Sequence, residues 1–471
     1  MTPSATAVGW RFPRTFWVAN VAELFERAAF YGMFIALARY LNQVIGFSDK
    51  SGNAIAGAFS CLLYFLPPFL GSLADKISYR RALIIAFSSL GIGYVMLGAF
   101  PTKVLSPISL LIIAFGGAIV KPVILGTASK CSDASTRARA FSIFYLMVNI
   151  GSFFGKTLAY PLRNGFHLPG YGQVVLGYVY INYYAAAMAF VALAVVFLAY
   201  RNPNTTGAGK PFNEVVRGFL RVIRNGRFMG LIAIVTGFWI IQTQLYASMP
   251  QYMERLIGRS ANPEWLANIN PFVVVLLVVP ITHLVRNLKP VSSISISLAI
   301  IPCSALALAI APILKSYAGE QIHLGWFVLH HVTVMAIIGI AIQGLAECFL
   351  SPKYLEFASR QAEPGEEGLY MGFQNLANAM SYLVGFVMAG FLIDSFCPDP
   401  KKLATDSPEQ YLQWEAAMRG EGPLPAAYAQ AHYIWYVFAG VGLLALLALL
   451  VFNRITSRQD RLREALTAPV R

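Results

Sequence analysis

Hydrophobic residues form long runs along almost the whole chain, and short polar stretches separate them. Twelve of these runs reach the length of about 20 predominantly apolar residues that a helix needs to cross a bilayer. The pattern predicts an all-α integral membrane protein with 12 transmembrane helices. The predicted spans are residues 14–41, 53–74, 81–100, 105–128, 139–162, 174–200, 228–250, 265–286, 291–313, 325–350, 368–395 and 431–454.

Composition and charge agree with a membrane protein. Of the 471 residues, 57% are hydrophobic and 12% are charged, whereas soluble domains carry about 25% charged residues. The net charge of +14 indicates Lys and Arg collected on the cytoplasmic side of a membrane, rather than a nucleic-acid partner. Over the connections, 23 Lys and Arg residues lie on the side of the termini and 10 on the opposite side. We therefore expect a multi-pass protein of the cell membrane with both termini in the cytoplasm.

The longest connection on the side of the termini, residues 201–227, separates six predicted spans from six. This arrangement predicts two six-helix bundles, residues 1–200 and 228–455, followed by a cytoplasmic tail, residues 456–471. Within the linker, the basic amphipathic stretch from residue 215 to 222 is expected to lie along the membrane surface.

The first span contains three charged residues, in the stretch VAELFERAAFYG. Glu23 lies about 14 Å into the span, and Glu23 and Arg27 are four residues apart, so they can meet on one helix face. With Glu26, the cluster carries one net negative charge if every group is ionised. A charge at this depth is costly, and binding a proton removes it. The cluster therefore suggests a proton carrier, and a static buried ion network is the alternative.

Two further charges lie deep in predicted spans. Lys121 precedes Pro122, which bends a helix and frees a backbone carbonyl. Lys121 requires an acidic partner, for which Glu23 and Glu26 are the candidates in the first bundle. Glu347 is the deeply placed carboxylate of the second bundle. Lys121 and Glu347, paired with other groups while the site is empty, would couple substrate binding to gating.

Three other charged residues leave alternatives open. Asp49 either caps the second span or pairs with Arg255 across the outer mouth. Lys156, in the fifth span, either faces a cavity or extends towards the membrane interface.

The connection after the second span, GSLADKISYRR at residues 71–81, resembles the loop motif of the major facilitator superfamily, roughly G-x-L-A-D-R-x-G-R-R. Ser78 replaces the second glycine of that motif. The resemblance implies the superfamily fold, 12 helices in two bundles. Asp75, at a helix end beside basic residues, would clamp neighbouring helices in one state; the alternative is a charged cytoplasmic turn.

Several motifs together resemble the proton-dependent oligopeptide transporter (POT) family. They lie in order along most of the chain. They are the E-x-x-E-R element Glu23, Glu26 and Arg27 with Phe30-Tyr31-Gly32, then Tyr64, Lys121-Pro122, the stretch FYLMVNIGSFFG with Tyr145, Asn149, Gly151 and Ser152, then Phe238-Trp239, Asn270-Pro271, Glu347 and Ser351-Pro352.

The resemblance implies a role for each matching residue. It implies that Glu23, Glu26, Arg27 and Lys121 handle the proton, and that Asp75, Lys121 and Glu347 take part in gating. The implied substrate-binding residues are Arg27 and Lys121 for a peptide carboxylate, Glu347 and Asn270 for its ammonium group, and Tyr31, Tyr64, Asn149, Trp239 and Gln374 elsewhere in the pocket. A water-filled cavity between the bundles would hold this zwitterionic ligand.

Departures from the family pattern fall in the same pocket. Phe34 stands where the family usually has a basic residue, and Gln242 and Thr243 replace its usual acidic partner in the seventh span. Losing both members together is coherent, because losing one would strand a charge. Gln374 replaces a Trp in the eleventh span. These changes make the predicted pocket less basic and richer in amides.

We therefore predict a proton-coupled symporter that imports di- or tripeptides, or peptide-like solutes, by alternating access. A transporter of the same family for a non-peptide organic or inorganic anion is the first alternative, and a non-transporting membrane receptor or scaffold is the second. An enzyme is not expected, since the sequence shows no metal-ligand cluster, nucleophile elbow or cofactor loop. The expected partners are the substrate, protons and the lipid bilayer, with no cofactor, metal or nucleic acid, and the chain is expected to be a monomer.

Overall fold

The computed structural model describes residues 12–133, 136–168, 172–174, 177–203, 212–258, 260–361, 370 and 372–467. It is built almost entirely of helices. In chain order these are α1 (Arg14–Phe34), α2 (Leu37–Gln43), α3 (Asp49–Phe65), α4 (Pro67–Ile77), α5 (Tyr79–Ala99), α6 (Leu105–Lys130), α7 (Arg137–Asn164), α8 (Tyr178–Ala199), α9 (Phe212–Arg224), α10 (Gly226–Thr243), α11 (Met249–Ile257), α12 (Pro263–Leu266), α13 (Ile269–Leu284), α14 (Pro290–Ala309), α15 (Ala311–Ala318), α16 (His331–Arg360), α17 (Leu376–Phe396), α18 (Pro400–Asp406), α19 (Pro408–Met418) and α20 (Tyr433–Thr467).

Two short antiparallel hairpins complete the described secondary structure. The first pairs β1 (Phe166–Leu168) with β2 (Gly172–Val174). The second pairs β3 (Gln321–Leu324) with β4 (Phe327–His330). We refer to α1–α8 as the first half and to α10–α20 as the second half. Of the predicted linker and tail, residues 204–211 and 468–471 lie outside the described residues.

Most of the predicted spans correspond to single helices. Within the described part of the chain, 10 helices are long and apolar enough to cross a membrane, and α3 with α4, bent by 47°, forms an eleventh candidate. α1, with 21 residues, is also long enough to cross a membrane. It is not among these helices because Glu23, Glu26 and Arg27 in its interior make it less apolar.

Several predicted boundaries differ from the observed ones. The predicted span 325–350 begins too early, because Gly325 adopts a φ of +62° in the turn of the second hairpin and α16 begins only at His331. α16 then continues through Pro352 to Arg360. The predicted span 228–250 is interrupted, since α10 ends at Thr243 and the chain resumes as α11 at Met249 with Pro250 in its first turn.

The linker helix α9 is amphipathic, in agreement with its sequence pattern. Val215, Gly218 and Val222 are its buried residues. Phe219 packs against Phe69 of the first half at 5.6 Å and against Phe373 of the second half at 5.2 Å between ring centroids. The helix therefore contacts both halves through its apolar face. Its position at a membrane surface stays a prediction.

The motif between α4 and α5 contains a strained residue. Ser78 has a φ of 78° and is the single non-glycine residue with positive φ in the described part of the chain. A side chain makes this backbone region unfavourable, whereas glycine adopts it readily. The superfamily motif therefore has glycine at a position whose backbone conformation favours glycine, and Ser78 adopts that conformation here at a cost. Asp75 belongs to α4, but its side chain lies outside the described residues, so its gating role stays a prediction.

α1 and α7 approach each other closely because glycines face the contact. A Cβ added to Gly151 would lie 2.4 Å from the carbonyl oxygen of Leu24, and one added to Gly155 would lie 2.3 Å from that of Ala28. No side chain fits at either position without moving the backbone. This contact brings the middle of α1, with its charged residues, against the centre of α7.

Candidate functional site

A cavity of about 350 Å³ lies between the two halves. Its volume falls within the range of about 300–1,000 Å³ that is usual for sites binding small molecules. Residues from α1, α3, α6 and α7 line one side, and residues from α13 and α16 line the opposite side. The lining residues are Glu23, Arg27, Tyr31, Tyr64, Lys121, Phe144, Tyr145, Val148, Asn149, Ser152, Lys156, Tyr246, Asn270, Pro271, Val274 and Glu347.

The E-x-x-E-R residues form one buried ion cluster on α1. The Nε atom of Arg27 lies 3.2 Å from Oε1 of Glu23 and also donates a hydrogen bond to Oε2 of Glu26. Glu23 and Arg27 line the cavity, whereas Glu26 does not. Oε2 of Glu23 is buried and has no hydrogen-bond partner among the described residues. Arg27 thus binds both carboxylates. Oε2 of Glu23 is left to accept a proton or a hydrogen bond from a ligand.

Lys121 does not pair with the acids of α1. Glu23 and Glu26 both bind Arg27, and within the described chain no carboxylate lies within 4.0 Å of the Lys121 ammonium. The expected pairing is therefore wrong for this conformation, because the guanidinium on the same helix is nearer to both acids. Nζ of Lys121 lies 5.5 Å from the ring centre of Tyr64. A pocket of about 30 Å³ beside Arg27, Lys121 and Asn375 is large enough for a water molecule.

One face of α7 supplies four polar residues to the cavity. Tyr145, Asn149, Ser152 and Lys156 are spaced by four, three and four residues, so they share a helix face. The side chain of Lys156 is only 1% exposed and faces the cavity, which settles the alternative that the sequence left open. Nζ of Lys156 donates a hydrogen bond of 3.0 Å to the carbonyl oxygen of Ala267 in the second half.

The second half contributes a carboxylate held by amides. Oε2 of Glu347 accepts hydrogen bonds from Nδ2 of Asn270 at 3.4 Å and from Nε2 of Gln242 at 3.0 Å. Within the described residues, no cation lies within 4.0 Å of Glu347. Among the described residues, the cavity therefore has a cation without a carboxylate partner, Lys121, on the first half and a carboxylate without a cationic partner, Glu347, on the second.

Two predicted substrate-binding residues do not line the cavity. Trp239 packs edge-to-face against Phe238 at 5.2 Å between ring centroids, and its indole N–H is buried without a partner among the described residues. The backbone carbonyl of Gln374 accepts a hydrogen bond from Tyr354 at 3.2 Å. The roles of Trp239 and Gln374 stay predictions. Nor do the described residues contain a group of three or more His, Cys, Asp and Glu that could hold a metal ion.

An aromatic cluster joins the halves above the cavity. Phe34, 1% exposed, lies 4.9 Å from Tyr246, 5.8 Å from Tyr382 and 5.9 Å from Phe386 between ring centroids. Tyr64 stacks on Tyr382 at 5.0 Å. The position at which the family usually has a basic residue is thus the centre of an apolar contact between the halves.

Ion pairs join the halves beyond this cluster, on the face that carries the connections at residues 44–48, 260–262 and 397–399. We call it the outer face, after the predicted orientation. Asp49 binds Arg255 through two hydrogen bonds, of 2.9 Å and 2.7 Å. Ser48 supplies the cap of α3, so the alternative of an Asp49 cap is wrong. Further bonds that cross between the halves here link Arg39 and Arg163 to Glu254 and Glu264.

Glu254 and Glu264 are functional-site candidates that the sequence reasoning missed. Glu264 is fully buried and binds Arg39 at 2.6 Å and Arg163 at 3.0 Å. The signal was present, because Arg39 and Arg163 lie at the ends of apolar runs and require anionic partners. These ion pairs and the Asp49–Arg255 pair join the two halves at the outer face.

Comparison with known proteins gives the family. The sequence profile of the Major Facilitator Superfamily matches residues 18–320. The chain belongs to the major facilitator superfamily. This confirms the predicted fold class and establishes a multi-pass membrane protein. The resemblance to the POT family is also confirmed: this major facilitator chain is 26% identical over 439 residues to the Dipeptide and tripeptide permease B of Shigella dysenteriae serotype 1 (strain Sd197), covering 80% of this chain and 87% of that relative.

Solved structures share the fold of this major facilitator chain. A crystal structure of the POT family transporter PepTSo superposes with a TM-score of 0.66 at 19% identity, covering 96% of this chain and 99% of that chain. A crystal structure of a mutant of the nucleoside transporter NupG superposes equally well, with a TM-score of 0.66 at 14% identity, covering 93% and 99%. Because both superpose to the same degree, the fold does not distinguish a peptide from a nucleoside as substrate.

Proposed function

We propose that this major facilitator chain is a proton-coupled symporter that imports di- or tripeptides, or peptide-like solutes, by alternating access. The observation that carries the proposal is the cavity between the halves, with Arg27 and Lys121 on one side and Glu347 on the other. A short peptide is a zwitterion, so it requires an anionic and a cationic contact at opposite ends of one cavity. Curated relatives named as dipeptide and tripeptide permeases support this substrate class.

The roles of individual residues follow from their contacts. Lys121, which has no carboxylate partner in the described chain, binds the peptide carboxylate together with Arg27. Glu347 binds the peptide ammonium group, and Asn270 holds that carboxylate in position by its hydrogen bond. Tyr31, Tyr64 and Asn149 line the walls. Each contact is a charge-assisted or polar interaction, and charge-assisted hydrogen bonds are roughly twice as strong as neutral ones.

The ion cluster of α1 couples the proton. Glu23 and Glu26 compete for the single guanidinium of Arg27, so one of the two carboxylates is a natural acceptor for a proton. When the peptide carboxylate approaches Arg27 and Lys121, it competes with the same acids for positive charge. Protonation of an acid therefore favours substrate binding, and substrate binding favours protonation, as linkage requires.

A second candidate is transport of a non-peptide anion by the same mechanism. It is favoured by the excess of cations without carboxylate partners on the first half, together with the uncharged residues Phe34 and Gln242 where the family usually places a salt bridge. Under either candidate we propose a monomer with both termini in the cytoplasm and with helical bundles at residues 1–200 and 228–455.

The test is uptake of labelled dialanine into proteoliposomes that hold the purified protein. An inward proton gradient should drive accumulation above the outside concentration, and collapsing the gradient should abolish it. Uptake that ignores the gradient would refute proton coupling. Protein that is folded and yet transports no peptide would favour the second candidate, which competition by organic anions then tests. Absence of any transported solute would leave the receptor or scaffold alternative.

A further inference from the structure

One cation of the cavity has no part in the contacts proposed for a simple peptide. Glu23 and Glu26 are held by Arg27, and Glu347 is available for an ammonium group. Lys121 is available for the terminal carboxylate. The ammonium group of Lys156 then stands without a carboxylate partner in the described part of the chain. Its position in the cavity requires an explanation, since a buried cation is costly unless an anion accompanies it.

Lys156 occupies a distinct place in the cavity. It lies seven residues after Asn149 on α7, so its Cα is about 10 Å further along the helix, towards the outer face. Its Nζ lies 5.6 Å from the ring centre of Tyr31, which Phe30 links to the aromatic cluster. Tyr31 and the carbonyl of Ala267 are its neighbours on the two sides. Lys156 is therefore separate from Lys121, which lies beside Tyr64.

The contacts of Lys156 leave it able to bind a ligand. An ammonium group has three N–H donors, and one hydrogen bond, to the carbonyl of Ala267, is present. The carbonyl of Ala267 is a neutral acceptor, so it does not compensate the charge. A carboxylate in the cavity would both neutralise Lys156 and accept a second hydrogen bond, and a charge-assisted bond of this kind is stronger than a neutral one.

We propose that Lys156 forms a subsite for the side-chain carboxylate of an acidic peptide, so that peptides containing Asp or Glu are preferred over their amide counterparts. This inference rests on the proposed function and names a substrate class for the same cavity. Lys121 and Glu347 bind the two ends of the peptide, and Lys156 binds the side chain that points towards the outer face.

A structural role for Lys156 makes a different prediction. If the bond to Ala267 serves only to fasten α7 to the second half, its loss would affect every substrate alike. If Lys156 binds a side-chain carboxylate, replacing Lys156 would weaken the binding of acidic peptides alone. Comparing Ala-Glu with Ala-Gln separates the two roles, because these peptides have nearly the same size and differ in one charge.

The experiment measures competition by unlabelled Ala-Glu, Ala-Gln and dialanine against uptake of labelled dialanine, at a pH where the Glu side chain is ionised. The full-length protein is compared with Lys156→Gln, with Lys156→Arg, which keeps the charge, and with Lys103→Gln, which changes an exposed lysine. We expect the wild type to favour Ala-Glu over Ala-Gln by about tenfold. Lys156→Gln should remove this preference and change the inhibition by dialanine by less than about threefold, and Lys156→Arg should restore part of it.

Three results would overturn the subsite. The first is a wild type that does not favour Ala-Glu, and this readout needs no variant. The second is a preference that Lys156→Gln leaves intact. The third is an equal loss for all three peptides, which would assign Lys156 to the contact between the halves. Wild-type protein that transports no dialanine would instead refute the proposed function, and that result is obtained before any variant is compared.

Discussion

Removing the carboxylate of Asp49 is expected to open the outer face. Asp49 is 3% exposed and binds Arg255, which is 6% exposed, through two hydrogen bonds of 2.9 Å and 2.7 Å. The two residues belong to α3 and α11, so the pair joins the first half to the second. Asp49→Asn keeps the shape of the side chain but leaves the guanidinium of Arg255 buried. When the outer face opens, water reaches Arg255 and removes this cost, so the substitution favours the open state.

The magnitude follows from the burial of the pair. Removing one partner of a buried ion pair costs about 3–5 kcal/mol, and each 1.4 kcal/mol corresponds to about a tenfold change in an equilibrium. The carbonyl of Cys397 accepts a bond from Arg255 at 2.5 Å, and Asp399 lies 3.8 Å from it. These contacts offset part of the loss. We therefore expect the lower end of the range, a shift of about a hundredfold towards the open state.

Cys397 provides a native reporter for the assay. It is fully buried beside Arg255, so a membrane-impermeant maleimide should label it only when the outer face opens. The measurement uses protein in which the other four cysteines, Cys61, Cys131, Cys303 and Cys348, are replaced by Ser. Asp49→Asn should accelerate the labelling of Cys397 by about a hundredfold, within the limit set by the intrinsic rate of the thiol.

Two further variants make the result specific. Lys50→Gln removes an exposed ion pair with Asp394 on the same face, and a pair of this kind contributes at most about 1 kcal/mol. Asp49→Asn combined with Arg255→Gln removes both charges of this pair, so no guanidinium is left buried there without Asp49, and it should label more slowly than Asp49→Asn alone. Equal labelling of Asp49→Asn and the wild type, or equal acceleration by Lys50→Gln, would refute the reasoning.

Four other substitutions test the site and the fold. Glu26→Gln should abolish proton-driven accumulation of dialanine and spare exchange, because exchange does not require the empty carrier to return; equal loss of both would contradict a coupling role. Glu347→Gln should weaken competition by dialanine about tenfold and leave N-acetylated dialanine unchanged, because only the former has an ammonium group. Gly155→Val should lower the melting temperature and the yield, since a Cβ would lie 2.3 Å from a backbone oxygen, and an unchanged melting temperature would show that α1 and α7 can separate. Ser78→Gly should raise the melting temperature by relieving backbone strain of about 1–3 kcal/mol, whereas a decrease would mean that the Ser side chain makes a stabilising contact.

The sequence predicted the helices and much of the cavity because both depend on features that are local in the chain. A membrane span is recognised by the length of its apolar run. A charged residue inside such a span is costly in contact with lipid, so it usually faces a polar cavity. For this reason Glu23, Arg27, Lys121 and Glu347, identified as intramembrane charges, all line one cavity. Their roles in proton coupling and binding remain to be tested.

Other features could not be predicted because they depend on how helices are rotated and where they break. Trp239 lies beside the site along the chain, yet its ring packs against the neighbouring Phe238 and does not line the cavity. Lys121 lacks the expected acidic partner because Arg27 occupies both candidates. Glu264 belongs to the short helix α12, ahead of the apolar run, and its burial arises only when α2 and α7 pack around it.

The replacements at Phe34 and Gln242 are explained together by the observed contacts. An ion pair between α1 and α10 would join the halves above the cavity, and the aromatic cluster around Phe34 joins them at the same place without charge. Gln242 then donates its amide to Glu347. α1 has no basic residue at position 34, but α7 carries Lys156, which faces the cavity and has no carboxylate partner among the described residues. Because the positive charge stands on a different helix, it meets a different part of the ligand. A changed preference among peptide side chains, rather than a loss of peptide binding, is therefore the expected consequence.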